Sequence, residues 1–188
     1  MIKIALTGSI ASGKTTASKI ISNKKGPLFS ADKVVKKLYK KKNFKREVAK
    51  KLGLSFDTKF KQKLILQIIQ KKTTLKKLEK IIHPLVRKEM FKFLNKNKKK
   101  KLLFFEIPLL VESKLTKYFD VVIFIKAKKK LRLQRYKHKC GDQKLFSRLD
   151  KHQIKDNKKA KLCDYIVVNN ETLKVLKKKL FTIIKFYE

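Results

Sequence analysis

The segment GSIASGKT at residues 8–15 constrains the fold more than any other part of the 188-residue chain. It matches the pattern G-x-x-x-x-G-K-[ST], in which successive backbone N–H groups curl around a phosphate. The pattern is informative only between a strand and a helix, and both are predicted, over residues 1–7 and 14–23. A flexible turn that matches by chance is the alternative, but the strand before it and the helix after it weigh against that interpretation.

The residue types in this segment predict a nucleotide site. The helix that begins near Lys14 points the positive end of its dipole at the bound phosphate. In such a loop the Lys14 ammonium reaches the β- and γ-phosphate oxygens, and the Thr15 hydroxyl ligates Mg²⁺. The chain has only five glycines, and two of them, Gly8 and Gly13, stand where the pattern requires glycine.

Four further apolar runs predict the rest of a sheet. They are GPLF (26–29), KLLFFEI (101–107), DVVIFIKA (120–127) and DYIVVNN (164–170). Helical patterns separate these runs, so the sequence predicts an α/β fold with a mainly parallel sheet. We expect the second strand to lie beside the first, and the helical region 44–98 to be interrupted at residues 53–57 and at His83–Pro84.

The net charge of +39 has two interpretations. The chain contains 48 lysines and five arginines against 14 acidic residues. A strongly basic domain is attracted to nucleic acid, but these lysines occur in every segment, and arginine, which base recognition favours, is scarce. We therefore expect a solvated lysine coat and no specific nucleic-acid partner, with a basic nucleic-acid-binding protein as the alternative.

Targeting signals are absent from the pattern of the sequence. The start lacks a signal peptide, and no run approaches the ~18 apolar residues of a membrane span. Cys140 and Cys163 stand alone, without the paired spacing of a metal or redox site. These features predict a cytoplasmic protein with no membrane partner.

Among nucleotide-dependent proteins, a small-molecule kinase fits best. No Asn-Lys-x-Asp element of guanine-specific switches is present, and no Asp-Glu pair ends a strand as in motor ATPases. A kinase needs a carboxylate beside the acceptor hydroxyl and a mobile basic lid. Asp32, just beyond the second strand, is the candidate general base, with helix capping beside Ser30 as the alternative.

The candidate lid holds three of the five arginines, within residues 132–153. They are Arg132, Arg135 and Arg148. Guanidinium groups suit phosphates because they donate bidentately, whereas surface salt bridging between helices is the alternative role. A nucleotide or nucleoside kinase of the same fold stays open at this point.

Several motifs in fixed order resemble those of the dephospho-coenzyme A kinase family. ALTGSIASGKTT resembles the family's phosphate loop, SAD its Asp-Ala-Asp, and KKLEKIIHPLVRKEM its Leu-Glu…His-Pro-Leu stretch. EIPLLVES resembles its Asp-x-Pro-Leu-Leu-Phe-Glu, an element that few other phosphate-loop kinases carry. QRYKHKCG, RLDKHQ and CDYIVVNN follow, so that the resemblance extends from about Ile4 to Asn170.

The resemblance implies a fold, a reaction and a division of the chain. The fold is the P-loop kinase fold, with a five-stranded parallel sheet flanked by helices, a helical substrate domain and a helical lid. MgATP would phosphorylate the ribose 3′-hydroxyl of dephospho-CoA, giving CoA and ADP. As a single kinase unit of residues 1–188, the chain would form its core from about 1–32, 100–127 and 163–188. An acceptor-binding insertion would span about 33–99 and the lid about 128–162, in a monomer or small homo-oligomer.

The resemblance also implies site residues. Asp32 and Lys14 would be catalytic, with Mg²⁺ on Thr15. The ATP-binding residues would be Gly8, Ala11, Ser12, Gly13, Lys14, Thr15, Thr16, Arg135, Arg148 and Asn169. The acceptor-binding residues would be His83, Pro84, Arg87, Glu106, Pro108, Leu109 and Leu110. Taken alone, His83 is as well explained as a packed or capping histidine, and His138 and His152 as solvated lid residues.

The chain departs from the family at five of these motif positions. Ser9 and Ala11 replace loop glycines, where a side chain at positive φ would cost roughly 1 kcal/mol or more. Ser30 replaces the first Asp of Asp-Ala-Asp, and Glu106 replaces the Asp that ends the third strand. Lys139 stands where a second lid arginine is usual, which exchanges a planar fork for a point charge.

Overall fold

The structure, a computed structural model, describes residues 1–139 and 141–188 in full and residue 140 only by its place in a helix. Its strands are β1 (Ile2–Gly8), β2 (Leu28–Ser30), β3 (Leu102–Glu106), β4 (Val121–Lys126) and β5 (Tyr165–Val168). Its α-helices are α1 (Lys14–Ser22), α2 (Ala31–Lys40), α3 (Lys42–Leu52), α4 (Phe60–Gln70), α5 (Lys72–Lys96), α6 (Lys129–Cys140), α7 (Gln143–His152), α8 (Asp156–Ala160) and α9 (Leu173–Ile184). Short 3₁₀ turns occupy Thr116–Tyr118 and Lys185–Tyr187.

The five strands form one parallel sheet in the order β2-β3-β1-β4-β5. The predicted five-stranded parallel sheet flanked by helices is thus confirmed. The expectation that the second strand lies beside the first is wrong, because β3 lies between β1 and β2. The 71 residues that connect β2 to β3 leave the order of the strands undetermined by the sequence. The strand with the continuous apolar run LLFF, β3, lies further inside the sheet than β2, which is at the edge.

Both faces of the sheet are buried. On one face, β1, β3 and β4 pack against α1 and α9 through residues such as Ile21 and Leu180. On the other face, Phe105 and Ala5 pack against the last turns of α5 through Met90. All of β1 from Ile4 onward and all of β3 are buried, which explains their near-continuous apolar sequences.

A third apolar cluster lies in the inserted helices α3, α4 and α5. Phe44, Val48, Phe60 and Leu64 form its centre, and Leu149 of α7 packs against it. The predicted break at His83–Pro84 is wrong, because α5 runs through Pro84 without interruption. Packing of Ile82 and Met90 on either side of the proline offsets the loss of one backbone hydrogen bond. Among the described residues, no helix has an apolar stretch long enough to cross a membrane.

Candidate active site

The phosphate-binding loop runs from the end of β1 to the start of α1, as the sequence predicts. Gly8 has φ 152° and Gly13 has φ 99°, which are conformations that favour glycine. A Cβ at Gly8 would collide with the Ile125 carbonyl, and one at Gly13 with the Asn169 amide. Both glycines are therefore required by backbone conformation and by close packing. Ala11 adopts φ 57° in the same loop, whereas Ser9 does not have a positive φ.

Lys14 is buried beneath this loop. Its ammonium donates to the carbonyls of Gly8 at 3.0 Å and Ser9 at 2.8 Å. Burial lowers the pKa of Lys14 to about 8, against the opposing influence of the Asp32 carboxylate. Near pH 8 the Lys14 side chain is therefore only partly protonated. It is held inside the loop that would receive the phosphates.

Glu106 joins the end of β3 to the loop and to β2. One of its carboxylate oxygens accepts a short hydrogen bond from the Thr15 hydroxyl, and the other accepts from the Ser30 hydroxyl at 2.9 Å. Ser30 also caps α2 by accepting from the backbone N–H of Lys33. The two departures from the family motifs lie in contact, the longer Glu106 side chain reaching the shorter Ser30.

Asp32 lies in the first turn of α2 and faces the loop across the cleft described below. Desolvation raises its pKa, the Glu106 charge adds to this, and the Lys14 ammonium opposes it. Asp32 is exposed and lines the cleft. A carboxylate in the first turn favours the helix N-terminus, and Lys14 lines the same cleft, so a helix-stabilising role and a catalytic role of Asp32 are compatible.

A cleft of about 400 Å³ extends from the loop to α5. Its lining brings together the loop (Ile10, Ala11, Lys14), Asp32, the α5 residues His83 and Arg87, and Pro108 and Leu109 after β3. All of these residues except Ile10 were predicted, and they come from four separate parts of the chain. The arrangement gives a phosphate loop, a carboxylate and an apolar-walled acceptor space in one cavity.

Other predicted residues do not line this cleft. Leu110 is fully buried and packs in the core behind it, so the expectation that it lines the acceptor pocket is wrong: the turn after Leu109 directs its side chain to the apolar cluster of β3. Pro84 lies on the exposed side of α5, one residue beyond His83. Thr16 is exposed on α1.

Arg135 and Asn169 hold the loop from behind. The Asn169 amide donates to the Ser12 carbonyl at 2.8 Å, and Arg135 donates to the Asn169 carbonyl at 3.1 Å. A longer contact of 3.5 Å links Arg135 to the Ser12 carbonyl. Both residues are therefore part of the loop's support in this conformation.

Arg148 contacts the C-terminal end of α4 and not the phosphate loop. Its guanidinium donates to the carbonyls of Ile68, Ile69 and Gln70 at the C-terminal end of α4, with a shortest distance of 2.7 Å. A cation there satisfies carbonyls that the helix leaves unpaired. Contact with ATP would require Arg148 to leave this helix end.

Residues 153–159 hold the loop from the side of α7 and α8, a contact that our sequence interpretation missed. The Gln153 side chain accepts from the Ile10 N–H at 2.8 Å, and Asp156 accepts a short hydrogen bond from the Ser9 hydroxyl. Arg132 is buried, pairs with Asp150 at 2.6 Å and reaches the Ile10 carbonyl at 3.4 Å. In the sequence, only the polar end of the segment RLDKHQ, which includes Gln153, could have indicated this contact.

Two histidines face the cleft with Glu79 beside them. His152 of α7 contacts Glu79 of α5 at 2.8 Å, so the expectation of a solvated His152 is wrong. Burial lowers the pKa of His83 and the Arg87 charge adds to this, while Glu79 opposes both. His83 is consequently a neutral hydrogen-bonding group at the cleft wall at neutral pH.

The parallel sheet, the strand-loop-helix at its centre and the carboxylate facing the loop define a P-loop kinase. The model of the dephospho-CoA kinase family matches residues 2–174. The chain belongs to the dephospho-CoA kinase family.

Individual relatives agree with this assignment. A dephospho-CoA kinase of Zymomonas mobilis is 34% identical over 92% of this chain and 90% of its own length. That of Fusobacterium nucleatum is 32% identical over 94% of each chain. The solved structure of dephospho-CoA kinase from Campylobacter jejuni, 26% identical, superposes with a TM-score of 0.65 and covers 97% of this chain and 95% of that one.

Proposed function

We propose that this protein transfers the γ-phosphoryl group of ATP to the 3′-hydroxyl of dephospho-CoA, giving CoA and ADP in the last step of coenzyme A biosynthesis. The observation that carries the proposal is the single cleft in which the phosphate loop faces Asp32, His83 and Arg87. Membership of the dephospho-CoA kinase family supports the choice of acceptor.

On the nucleotide side, the loop amides from Gly8 to Thr16 and the Lys14 ammonium would bind the ATP phosphates. Arg135 and Asn169 would hold the loop in its binding conformation, and Asn169 would lie near the adenine. The positive end of α1 favours the same anion. Lys14 would exchange the carbonyls it now contacts for the β- and γ-phosphate oxygens.

The oxygen donors beside Lys14 suit Mg²⁺. Thr15 and Glu106 contact each other, and Mg²⁺ is usually held by one or two carboxylates together with substrate phosphates and waters. The described side chains include no cluster of three or more His, Cys, Asp or Glu that could hold a metal without such help. When bound, Mg²⁺ would neutralise part of the charge of the ATP phosphates. Thr15 and Glu106 would hold it.

On the acceptor side, Asp32 would accept the proton of the 3′-hydroxyl. The oxygen then bonds to the γ-phosphorus as the bond from that phosphorus to the β–γ bridging oxygen breaks, and ADP leaves. A raised pKa makes the Asp32 carboxylate a better proton acceptor, provided that the pH keeps it ionised. His83, Arg87, Pro108 and Leu109 would line the acceptor space, with Pro84 shaping α5.

The division of labour along the chain is part of the proposal. Residues 33–99 would bind the acceptor, residues 128–162 would act as the lid, and the remaining segments would form the core. The bonds from Arg148 to α4 join the lid segment to the acceptor segment, so Arg148 could reach ATP only after this junction opens. We further propose a cytoplasmic monomer or small homo-oligomer, with no specific nucleic-acid partner.

An acceptor panel tests the proposal. The protein is mixed with MgATP and, in parallel, dephospho-CoA, nucleoside monophosphates or nucleosides, and ADP formation is followed. We expect turnover with dephospho-CoA far above the others and above a Lys14→Ala control. Preference for a nucleoside monophosphate would instead identify a nucleotide kinase, and no turnover with dephospho-CoA would overturn the proposal.

A further inference from the structure

A second cavity lies among the inserted helices, next to the cleft that contains the phosphate loop. Its volume is about 780 Å³, and we call it the insertion cavity. Its walls come from α2 (Val35, Tyr39), from α4 (Leu64, Ile65) and from Leu78 of α5. The residues assigned above to ATP, to Mg²⁺ and to the acceptor do not line it, so the cavity has no role in the reaction as described so far.

Two side chains lie at the boundary between the insertion cavity and the cleft. Val35 of α2 and Leu78 of α5 line both spaces. Both are half-buried and pack against the apolar cluster of the inserted helices. A ligand that fills the cleft therefore meets the insertion cavity as soon as it passes these two side chains.

Helix α2 sets the distance between the phosphate loop and the insertion cavity. Asp32 in its first turn lines the cleft, Val35 lines both spaces, and Tyr39 lines the insertion cavity. Residues three or four positions apart share one face of a helix, so these three form a row. With a rise of 1.5 Å per residue, Tyr39 lies about 10 Å beyond Asp32 along the helix axis. A ligand that follows this row has one end at Asp32 and the other in the insertion cavity.

The proposed acceptor is an elongated molecule. Dephospho-CoA carries its 3′-hydroxyl on the ribose of adenosine, and a diphosphate on the 5′-oxygen joins that ribose to a pantetheine arm. The arm begins on the far side of the diphosphate, so it has to lie away from the hydroxyl that reacts. The cleft, at about 400 Å³, is at the small end of the range of ~300–1,000 Å³ for ligand sites, and it also has to admit the terminal phosphate of ATP.

The walls of the insertion cavity suit the apolar parts of such an arm. Phe60, Leu64 and Ile68 are buried members of the apolar cluster and line the cavity. Pantetheine contains several methylenes and two methyl groups, and each methylene removed from water contributes about 0.8 kcal/mol. An apolar wall of this kind favours the arm over the more polar nucleoside.

The charges at the insertion cavity suit the diphosphate to which the arm is attached. Lys36, which follows Val35 on α2, and Lys40, one turn further along, are exposed and line the cavity. Asp57 is the acidic residue among the described residues that line it, and its carboxylate is already engaged by the Lys63 ammonium and the Ser55 hydroxyl. The cavity therefore offers apolar walls with a positive rim, which matches an apolar arm on an anionic diphosphate.

We propose that the insertion cavity binds the pantetheine arm of dephospho-CoA, while the cleft holds the adenosine and presents its 3′-hydroxyl to Asp32. This inference rests on the proposed function for the identity of the acceptor. The cavity distinguishes dephospho-CoA from nucleotides that have the same ribose but lack the arm. Acceptor selectivity is thus assigned to a surface that contains none of the residues of the phosphate loop.

A pair of acceptors isolates the contribution of the arm. Dephospho-CoA and ADP methylated on its β-phosphate share the adenosine, the diphosphate and the 3′-hydroxyl, and differ in the arm. Steady-state kinetics at saturating MgATP give kcat and KM for each. We expect the wild type to have a KM for dephospho-CoA roughly tenfold or more below that for the methyl ester, because the arm adds buried apolar surface. The kcat values should be similar, since binding of the arm is equal in the ground state and the transition state.

Two substitutions on α4 test where the arm lies. Ile65→Trp places a large side chain in the wall of the insertion cavity, whereas Leu66→Trp places it at the neighbouring position, which is 55% exposed and outside the lining. We expect Ile65→Trp to raise the KM for dephospho-CoA roughly tenfold and to leave the KM for the methyl ester unchanged. Leu66→Trp should match the wild type with both acceptors. Thermal unfolding shows whether each variant folds, and Thr58→Trp, at an exposed position of the cavity lining, replaces Ile65→Trp if that variant does not.

Equal KM values for the two acceptors in the wild type would overturn the inference. A cavity variant that matches the wild type, or that affects both acceptors alike, would overturn it as well. In each of these cases the turnover of dephospho-CoA would leave the proposed reaction standing. Absence of turnover with both acceptors would refute the proposed reaction, and with it the inference.

Discussion

At the scale of single residues, burial of the Lys14 ammonium costs free energy but directs the charge toward the phosphate site. The ammonium is buried under the loop and bound to two loop carbonyls, so it is already directed into the space for phosphate. Burial lowers the pKa of Lys14 to about 8. The charge that ATP needs is therefore sensitive to pH close to neutrality.

ATP affinity should fall as the pH rises above about 8. The sign follows because ATP binds the ammonium form, and the fraction of free protein in that form decreases above its pKa by up to about tenfold per pH unit. Calorimetry in two buffers with different ionisation enthalpies should detect proton uptake on binding at alkaline pH. Lys14→Met should bind weakly with no such uptake, and a flat profile in the wild type would contradict the assigned pKa.

Ala11→Gly should be neutral or stabilising. Alanine at φ 57° bears a strain of roughly 1–2 kcal/mol that glycine avoids, while glycine gives back about 0.4–1 kcal/mol through the freer unfolded chain. The matched control is Ala49→Gly in the interior of α3, which should cost about 1 kcal/mol or more. Urea unfolding measures both, and a loss of stability in Ala11→Gly as large as in Ala49→Gly would contradict strain at Ala11.

The sequence predicted those site residues whose role follows from a local pattern. Gly8, Gly13, Lys14 and Thr15 belong to one loop whose chemistry is set by spacing. Gln153 and Asp156 were missed because they contact the loop across more than 140 residues of chain, and no local pattern indicates such a contact. Leu110 was misplaced for a related reason, since the direction of a side chain after a strand depends on the turn.

At the scale of elements, the strands were predictable and their order was not. Apolar runs that are buried on both faces identify β1, β3 and β4 directly. No local sequence pattern indicates that β3 lies between β1 and β2, because the position of β3 depends on how the inserted helices α2 to α5 pack. In α5, by contrast, a local pattern was misleading: Pro84 predicts a break, but tertiary packing keeps the helix continuous.

Pro84→Ala should stabilise the protein, by up to about 3 kcal/mol. Pro84 lies inside α5 on its exposed side, so alanine restores a backbone hydrogen bond and removes little packing. Lys88→Ala, one turn further along the exposed part of the same helix, is the control and should change stability little. Thermal unfolding reports both, and a destabilised Pro84→Ala would show that the proline is not a strained residue of this helix.

At the scale of the whole molecule, the charge of +39 is best explained as a coat. Apart from Lys14 and Lys159, the described lysines keep their side chains at least partly in solvent. A family that acts on a phosphorylated small molecule gains attraction for its substrates from such a surface. The same surface attracts any polyanion at low ionic strength.

Binding to duplex DNA should consequently be salt-dependent and weak. We expect fluorescence anisotropy to detect binding at low salt that falls linearly on a log–log plot and is lost near physiological ionic strength. A random and a fixed-sequence duplex should behave alike, each serving as a control for the other. Binding that persists at physiological salt, or a preference for one sequence, would contradict a coat without a nucleic-acid function.

The transfer reaction itself tests the central claim most directly. Wild-type protein and Asp32→Asn are each given γ-labelled MgATP and dephospho-CoA, and the labelled product is identified by mass spectrometry and ³¹P NMR. The account predicts label on the ribose 3′-oxygen for the wild type, and a loss of rate on the order of 10²–10⁴-fold for Asp32→Asn with ATP binding retained. Label elsewhere, no label on dephospho-CoA, or a near-normal rate in Asp32→Asn would contradict it.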